Sequence, residues 1–227
     1  MNKKHLYFGI SIWCLIWVFT ATQKESDFKI TDFNYPIWLV VIWMVGMWTA
    51  INSLLCKNRH KGGVKHKKKF FIAYNRIVDN LKIKSEIKKQ NKQALKVLIL
   101  WMIFLIFEGI FYYFNIIDEK TIILGTICLR IFDKLFILVW CPFSIIMRNR
   151  CCVTCRIFGW DQLMLNSTLI VLPSLLSYSL ILLSIIYFID WELAVKNHPE
   201  RFLQISNITI RCSNCSEVCR RKRNKEA

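Results

Sequence analysis

The residues of this chain with the clearest chemical potential are six cysteines in polar sequence, which fall into two groups. Each group contains two cysteines separated by two residues. That spacing lets one turn of chain present two thiolates, and four thiolates complete a tetrahedral zinc site. Arginines on both sides of the first group favour the thiolate form. The predicted zinc ligands are Cys152, Cys155, Cys212 and Cys215, with Cys151 and Cys219 as reserve ligands.

The same thiols support two other interpretations. Paired cysteines beside a membrane can pass electrons between dithiols and a quinone, which would make the protein a thiol–disulfide oxidoreductase. Alternatively, the thiols are inert, or the tail is extracellular and holds plain disulfides. The spacings do not match the usual iron–sulfur runs. The remaining cysteines lie in or beside apolar runs and are predicted to pack as small hydrophobes: Cys14, Cys56, Cys128 and Cys141.

The elements that must position these thiols are apolar segments separated by charged ones. The chain is 55% hydrophobic, carries a net charge of +17 and keeps the two kinds of residue in separate blocks. Such segregation is typical of polytopic membrane proteins. We therefore predict an all-α integral membrane bundle of four to five transmembrane helices in residues 1–189, followed by a cysteine-containing polar tail, 190–227. The predicted spans are 6–20, 37–56, 97–117, 121–147 and 168–189.

The segment 57–96 is the most basic part of the chain. It has fourteen Lys or Arg residues against Asp79 and Glu86, a net charge of +12. An excess of Lys and Arg predicts a cytoplasmic loop, with the amino terminus on the same side. Apolar residues at three- and four-residue steps over 70–81 predict an amphipathic helix, lying either on anionic lipid headgroups or on the protein's own cytoplasmic face. No nucleic-acid partner is expected, because no recognition motif accompanies the charge. The densest predicted lipid-surface lysines are Lys65, Lys67, Lys68 and Lys69.

Four charged residues lie inside predicted spans. Each costs on the order of 3 kcal/mol at a bilayer centre, so such groups should pair and face the protein interior. Arg130 and Asp133 share a helix face, and Glu108 on the preceding helix is the predicted partner of Arg130 or Lys134 across a tight turn. These residues predict either a structural ion pair or a polar pocket of a small transporter. A re-entrant segment is a further interpretation. The predicted cluster is Glu108, Arg130, Asp133 and Lys134.

A shared thiol site conflicts with simple span counting. Five spans with a cytoplasmic amino terminus place the first cysteine group inside and the tail outside. The groups can meet only if the chain from 157 to 189 returns to its starting face. The 22 residues 168–189, at about 1.5 Å each, fit a single crossing of roughly 30 Å. The tail also holds Asn207-Ile208-Thr209, a glycosylation acceptor pattern that matters only in a lumenal tail.

The predicted function follows from what the chain contains and lacks. It has no Gly-rich phosphate loop, no histidine pair at metal spacing and no nucleophile elbow, which favours a non-enzyme. We expect a small multi-pass protein of the plasma membrane, with a structural or regulatory role at the membrane surface and zinc as its candidate cofactor. The oxidoreductase and the transporter are the alternatives.

Overall fold

The computed structural model describes residues 37–55, 80–138, 141–149 and 155–210. Over these ranges the chain is all-helical and has no strand, which confirms the predicted helical class. Short 3-10 turns occupy Phe158–Trp160, Thr168–Val171, Pro199–Phe202 and Ile208–Ile210. The α-helices are α1 (Ile37–Leu55), α2 (Asn80–Tyr113), α3 (Glu119–Leu138), α4 (Phe143–Met147), α5 (Asp161–Ser167) and α6 (Leu175–Asn197).

Within the described ranges, α2 (from Leu81) and α6 are long and apolar enough to cross a membrane. Only 11% of the apolar window of α2 and 28% of that of α6 are buried in the protein. The core helix of a soluble protein is instead mostly covered. Both helices therefore expose apolar faces, which is the property expected of membrane-associated segments.

Both faces of α6 are largely apolar, and its exposed face carries leucines and isoleucines. The buried face holds two serines among large apolar side chains. A surface helix of a soluble protein instead has a polar outer face. An apolar outer face is typical of a helix whose outer side contacts hydrocarbon and whose polar groups bond within the protein. The buried residues are Ser177, Leu180, Ser184, Tyr187, Trp191 and Val195, and the exposed ones include Leu175, Leu182, Ile186, Ile189 and Leu193.

Residues 156–197 form a helical hairpin. The first arm runs through Phe158–Val171, the chain turns at 172–174, and α6 returns along the arm. Arg156 contacts Glu192, and the side chain of Asn166 donates to Ser184 at 2.5 Å. Its mixture of 3-10 and α-helical residues gives the first arm a rise of about 25 Å. The arm thus covers most of the length of α6, and both ends of the hairpin lie at one end of the bundle.

Two hydrophobic clusters define the ends of the bundle. The first cluster joins Ile122 at the start of α3 to Leu172 in the hairpin turn, and we call this the turn end. The second joins α2, α4 and the close of α6 around Trp160 and Trp191, and we call it the basic end. Because Ala94 of α2 packs there with Val195 of α6, these two helices run antiparallel.

Asp118 caps α3 at the turn end. Its carboxylate accepts hydrogen bonds from the Thr121 hydroxyl and, at 3.0 Å, from the Thr121 backbone N–H. The hydroxyl bond is the main reason that the pKa of Asp118 is lowered from its ordinary value of 3.8. The cap satisfies a backbone donor that α3 leaves free.

Several helix limits differ from the predicted spans. The span predicted at 168–189 divides between the first arm of the hairpin and α6, and α6 continues to Asn197. The span predicted at 121–147 divides into α3 and α4, with Pro142 as the N-cap of α4. Proline is tolerated at a helix start because its missing backbone N–H would have no intrahelical partner there. On the amino-terminal side of its apolar region, α2 extends back to Asn80 as one continuous helix. The predicted span 6–20 and most of the predicted amphipathic segment 70–81 lie outside the described residues.

Candidate functional site

Cys155 is the predicted zinc ligand that the structure describes. It is half-buried and packs against the hydrophobic cluster of the basic end. Cys128 on α3 is a half-buried free thiol. Within the described ranges, no group of three or more His, Cys, Asp or Glu side chains is placed to hold a metal ion. The other predicted ligands and reserve ligands lie outside those ranges: Cys151, Cys152, Cys212, Cys215 and Cys219.

The hairpin places Cys155 and the start of the polar tail at the same end of the molecule. Phe202 belongs to the hydrophobic cluster against which Cys155 packs. The following segment folds back onto residues 200–201: the Ser206 hydroxyl donates to the Glu200 carbonyl at 2.5 Å, and the Asn207 amide donates to the Arg201 carbonyl at 2.8 Å. The chain from 157 to 197 thus returns to its starting end, as a shared thiol site requires.

A polar network, which we call the clasp, joins the two ends of the hairpin to α2. Arg156 donates to both carboxylate oxygens of Glu192, at 2.8 and 2.5 Å, and through Nε to Asn91 Oδ1 at 2.9 Å. Trp160 Nε1 also donates to Glu192, at 2.7 Å. The Arg156 side chain is 5% exposed and that of Glu192 is 31% exposed. A bidentate, largely desolvated pair of this kind is directional, and removal of one partner leaves a buried charge.

Aromatic rings surround the clasp. The Trp191 indole N–H donates to the Arg156 carbonyl at 3.2 Å. The Trp191 ring lies edge-on to Phe202 with centroids 5.1 Å apart, and 6.3 Å from Phe158. Gly159 packs directly on the Trp191 ring, where a side chain would collide with it. The sequence offered one signal for this site, a carboxylate at 192 directly after an apolar run, and our predictions did not include it.

The Arg130 side chain is joined to the hairpin and not to Glu108. Its guanidinium donates to Asn166 Oδ1, and Asn166 donates in turn to Ser184 Oγ at 2.5 Å. Asp133 and Asp161 lie close enough to Arg130 to interact with it electrostatically. We call Arg130, Asn166 and Ser184 the interior polar chain. Asn166 and Ser184 are fully buried, and neither was predicted as a site residue.

Glu108 lies at a different level of the bundle from Arg130. It is five residues from the end of α2, whereas Arg130 is eleven residues into α3, so their levels differ by about 9 Å. Among the described residues, no hydrogen bond or ion pair involves Glu108. The side chain of Lys134 lies outside the description. Of the predicted charge cluster, the structure therefore brings together Arg130 and Asp133.

Other hydroxyl groups bond between helices at similar depths. Thr126 and Thr168 are 2.7 Å apart between α3 and the hairpin. The indole of Trp101 donates to Ser167 at 3.0 Å, and that of Trp43 donates to Ser179 at 2.9 Å. Such bonds satisfy polar groups that hydrocarbon cannot satisfy, and they link α1, α2 and α3 to the hairpin.

The glycosylation acceptor pattern has a structural role. Asn207 is fully buried. Its amide oxygen accepts from the Thr209 backbone N–H at 3.0 Å and from the Thr209 hydroxyl at 2.8 Å. In the folded chain the Asn207 amide is therefore engaged and covered.

The predicted lipid-surface lysines, Lys65, Lys67, Lys68 and Lys69, lie outside the described residues. The described part of the basic segment is the first half of α2. It is a regular helix whose lysines point to solvent and whose Ile83 and Ala94 are buried. The exposed lysines are Lys82, Lys84, Lys88, Lys89, Lys92 and Lys96.

Comparison of the chain with protein-family models, with curated proteins and with solved structures found no match.

Proposed function

We propose that this chain is a multi-pass integral protein of the plasma membrane with a structural or regulatory role at the cytoplasmic surface. The apolar outer face of α6 is the observation that carries the proposal. In water, its outward leucines and isoleucines, such as Leu182, Ile186 and Leu193, would remain exposed. In a bilayer, hydrocarbon covers these side chains, and the buried Ser184 hydroxyl keeps its hydrogen bonds within the protein.

The exposed face of α2 supports the same conclusion. From Val97 to Tyr113 the helix rises about 25 Å, close to the thickness of a bilayer's hydrocarbon core. Soluble monomers rarely expose apolar patches of more than a few hundred Å². Large side chains at least 38% exposed recur along this stretch: Leu98, Ile99, Leu100, Met102, Ile103, Phe104, Ile106, Phe107, Ile110 and Phe111.

The charges at the two ends orient the proposed protein. The first half of α2 carries six lysines against Glu86, whereas the turn end carries Asp118, Glu119 and Lys120. The basic end is therefore cytoplasmic in this proposal. Four long helices (α1, α2, α3 and α6) cross the bilayer, the predicted span 6–20 is a fifth, and the first arm of the hairpin re-enters within protein. This arrangement also puts the basic tail inside, in agreement with the charge rule.

Thiol labelling in cells tests the proposed orientation. Variants are made in which Cys152 or Cys212 is the single remaining cysteine of the two polar groups, and an impermeant maleimide is applied to intact and to lysed cells. Both thiols should react only after lysis. Asn115→Cys at the turn end, an exposed position, is the matched control and should react in intact cells. Labelling of position 212 before lysis would contradict the topology.

We also propose that the two cysteine groups hold zinc at the basic end. The hairpin supports this by removing the conflict with span counting, since Cys155 and residues 199–210 lie at one end. Cys152, Cys155, Cys212 and Cys215 would supply four thiolates and tie the tail to the hairpin. The role of such a site is structural, because a closed four-thiolate shell leaves no open position for a substrate.

Metal analysis separates the zinc proposal from the oxidoreductase. Purified protein should contain one zinc ion per chain, and Cys152→Ser or Cys212→Ser should abolish its binding. Cys128→Ser, at a free and half-buried thiol of α3, is the control and should keep the metal. A metal-free protein with a disulfide that exchanges with small thiols would instead favour the oxidoreductase.

A small transporter is the second candidate, and the interior polar chain favours it. Polar and ionisable side chains inside apolar bundles often mark a solute or ion path. Here Arg130 contacts the buried Asn166 and interacts electrostatically with Asp133, while Glu108 lies nearer the turn end. This role predicts that Asp133→Asn leaves the protein folded and abolishes uptake of a solute by vesicles. Unchanged uptake across a solute panel would leave these residues with a structural role.

A further inference from the structure

Three exposed basic residues surround the hydrophobic cluster of the basic end. Lys96, Arg148 and Lys196 each lie next in sequence to a buried member of that cluster, in order Val97, Met147 and Val195. They come from α2, the end of α4 and the last turn of α6. Because the three buried neighbours pack in one cluster, the three cations lie around the same end of the bundle.

These cations also mark the limit of the exposed apolar surface. Apart from Leu81 at its start, the exposed large apolar residues of α2 extend from Leu95 toward the turn end, and on α6 they continue to Leu193. Ile145 of α4 is 68% exposed at the same end. In a bilayer, hydrocarbon would cover these side chains, and the adjacent cations would lie at the level of the phosphate groups.

We propose that Lys96, Arg148 and Lys196 form a collar that binds the phosphate groups of anionic lipids in the cytoplasmic leaflet. The proposal rests on the membrane assignment above. An arginine fork can bind phosphate through two hydrogen bonds, and lysines attract it as point charges. Each cation near an anionic surface strengthens binding by about fivefold.

The acidic groups at this end leave the collar a net positive charge. Glu192 is held in the clasp by Arg156, and Glu200 contacts His198 and Arg201. Asp190 is exposed on α6 and offsets one of the collar charges. Lys92, one turn before Lys96 on α2, adds a further exposed cation.

Lipid selectivity of the reconstituted full chain tests the collar. The protein is placed in phosphatidylcholine vesicles containing brominated phosphatidylserine or brominated phosphatidylcholine, and quenching of tryptophan fluorescence gives their relative association constants. The triple variant Lys96→Gln, Arg148→Gln, Lys196→Gln should lose at least about tenfold of the preference for the anionic lipid. Lys96→Arg with Lys196→Arg keeps the charges and should retain it.

The matched control removes three charges from the far part of α2. Lys82, Lys84 and Lys88 lie about 12 to 21 Å from Lys96 along the helix, beyond the screening length of about 8 Å at physiological salt. Their replacement by glutamine should change the preference by less than about twofold. Equal losses in the two triple variants, or no loss in the collar variant, would overturn the proposal.

Two further measurements separate the sources of failure. Inorganic phosphate is compared with chloride at equal ionic strength. Loss of the lipid preference in phosphate alone would assign the cations to free phosphate and overturn the lipid proposal. Alkaline extraction is applied to the same vesicles. Release of the protein would contradict the membrane assignment, whereas retention without a preference for anionic lipid would overturn the collar alone.

Discussion

Gly159→Ala is the sharpest test of the packing at the basic end. A Cβ at position 159 would lie 2.2, 2.5 and 2.5 Å from the Cδ2, Cε3 and Cγ atoms of Trp191. Real Cβ contacts are essentially never below 3.0 Å, so the ring or the backbone must move by roughly 1 Å. No glycine of the described ranges has a positive φ, so alanine suits the backbone of Gly159 and the collision is the only cost. Trp191 is 3% exposed and has little free space.

The expected loss in the free energy of unfolding is about 2 to 4 kcal/mol. Overpacking of a filled core costs about 1 to 3 kcal/mol. Movement of the Trp191 ring also weakens its hydrogen bond to the Arg156 carbonyl, a contribution of about 1 kcal/mol. Denaturant unfolding of the purified protein in detergent, followed by circular dichroism, measures the sum. Gly125→Ala on α3 is the control. Its new Cβ meets nothing within 4 Å, so the variant should be unchanged or up to about 1 kcal/mol more stable.

A double-mutant cycle with Trp191→Ala identifies the cause. Without the indole the collision disappears, so Gly159→Ala should then cost less than about 1 kcal/mol. Two results would refute the packing argument. One is a Gly159→Ala protein within about 0.5 kcal/mol of the wild type. The other is a cost that remains the same in the Trp191→Ala background.

Three further substitutions test the clasp, the interior polar chain and the cap of α3. Glu192→Gln leaves the buried guanidinium of Arg156 without its counter-charge and should cost about 2 kcal/mol of unfolding free energy. The partial exposure of Glu192 keeps this cost below the full penalty for a buried pair. An unchanged denaturation midpoint would argue against the clasp. Asn166→Ala removes the hydrogen-bond partner of the Arg130 guanidinium and of the Ser184 hydroxyl and should cost about 2 kcal/mol in the same assay. Asn166→Asp keeps an acceptor for Arg130 and should be tolerated. Asp118→Ala should cost about 1 kcal/mol near neutral pH. Because the folded state lowers the pKa of Asp118, this stabilisation is present above pH ~4 and is lost as the pH falls through the folded pKa. The unfolding free energies of wild type and variant should therefore converge in acid. A constant difference across pH would contradict the cap.

The helical class was readable from residue types alone. Apolar blocks between charged blocks predict helices because a chain out of water must satisfy its backbone donors and acceptors internally. The structure agrees over the described ranges, and it adds which face of α6 is exposed. That face was visible only after burial was known, because a helix that is apolar on all sides has no periodicity that distinguishes its inner face.

The partners of the interior charges were not readable in the same way. Counting residues from a turn gave Glu108 as a partner of Arg130 or Lys134, but the structure joins Arg130 to Asn166. Position along a helix gives only an approximate level, and Asn166 lies 36 residues further along the chain. The clasp was likewise not predictable from the sequence, since Asn91, Arg156 and Glu192 meet only because the hairpin returns to α2.

Residue types and their order were sufficient to predict helices, their approximate limits and an excess of positive charge on one side. They could not give the path of residues 156–174, on which the relation between Cys155 and the tail depends. That arm holds Gln162, Asn166 and Thr168 and breaks into 3-10 turns, so a hydropathy window treats it as a loop. Asn166 bonds to α3 and α6 and Thr168 bonds to α3, and such contacts between distant segments exist only after the chain has packed.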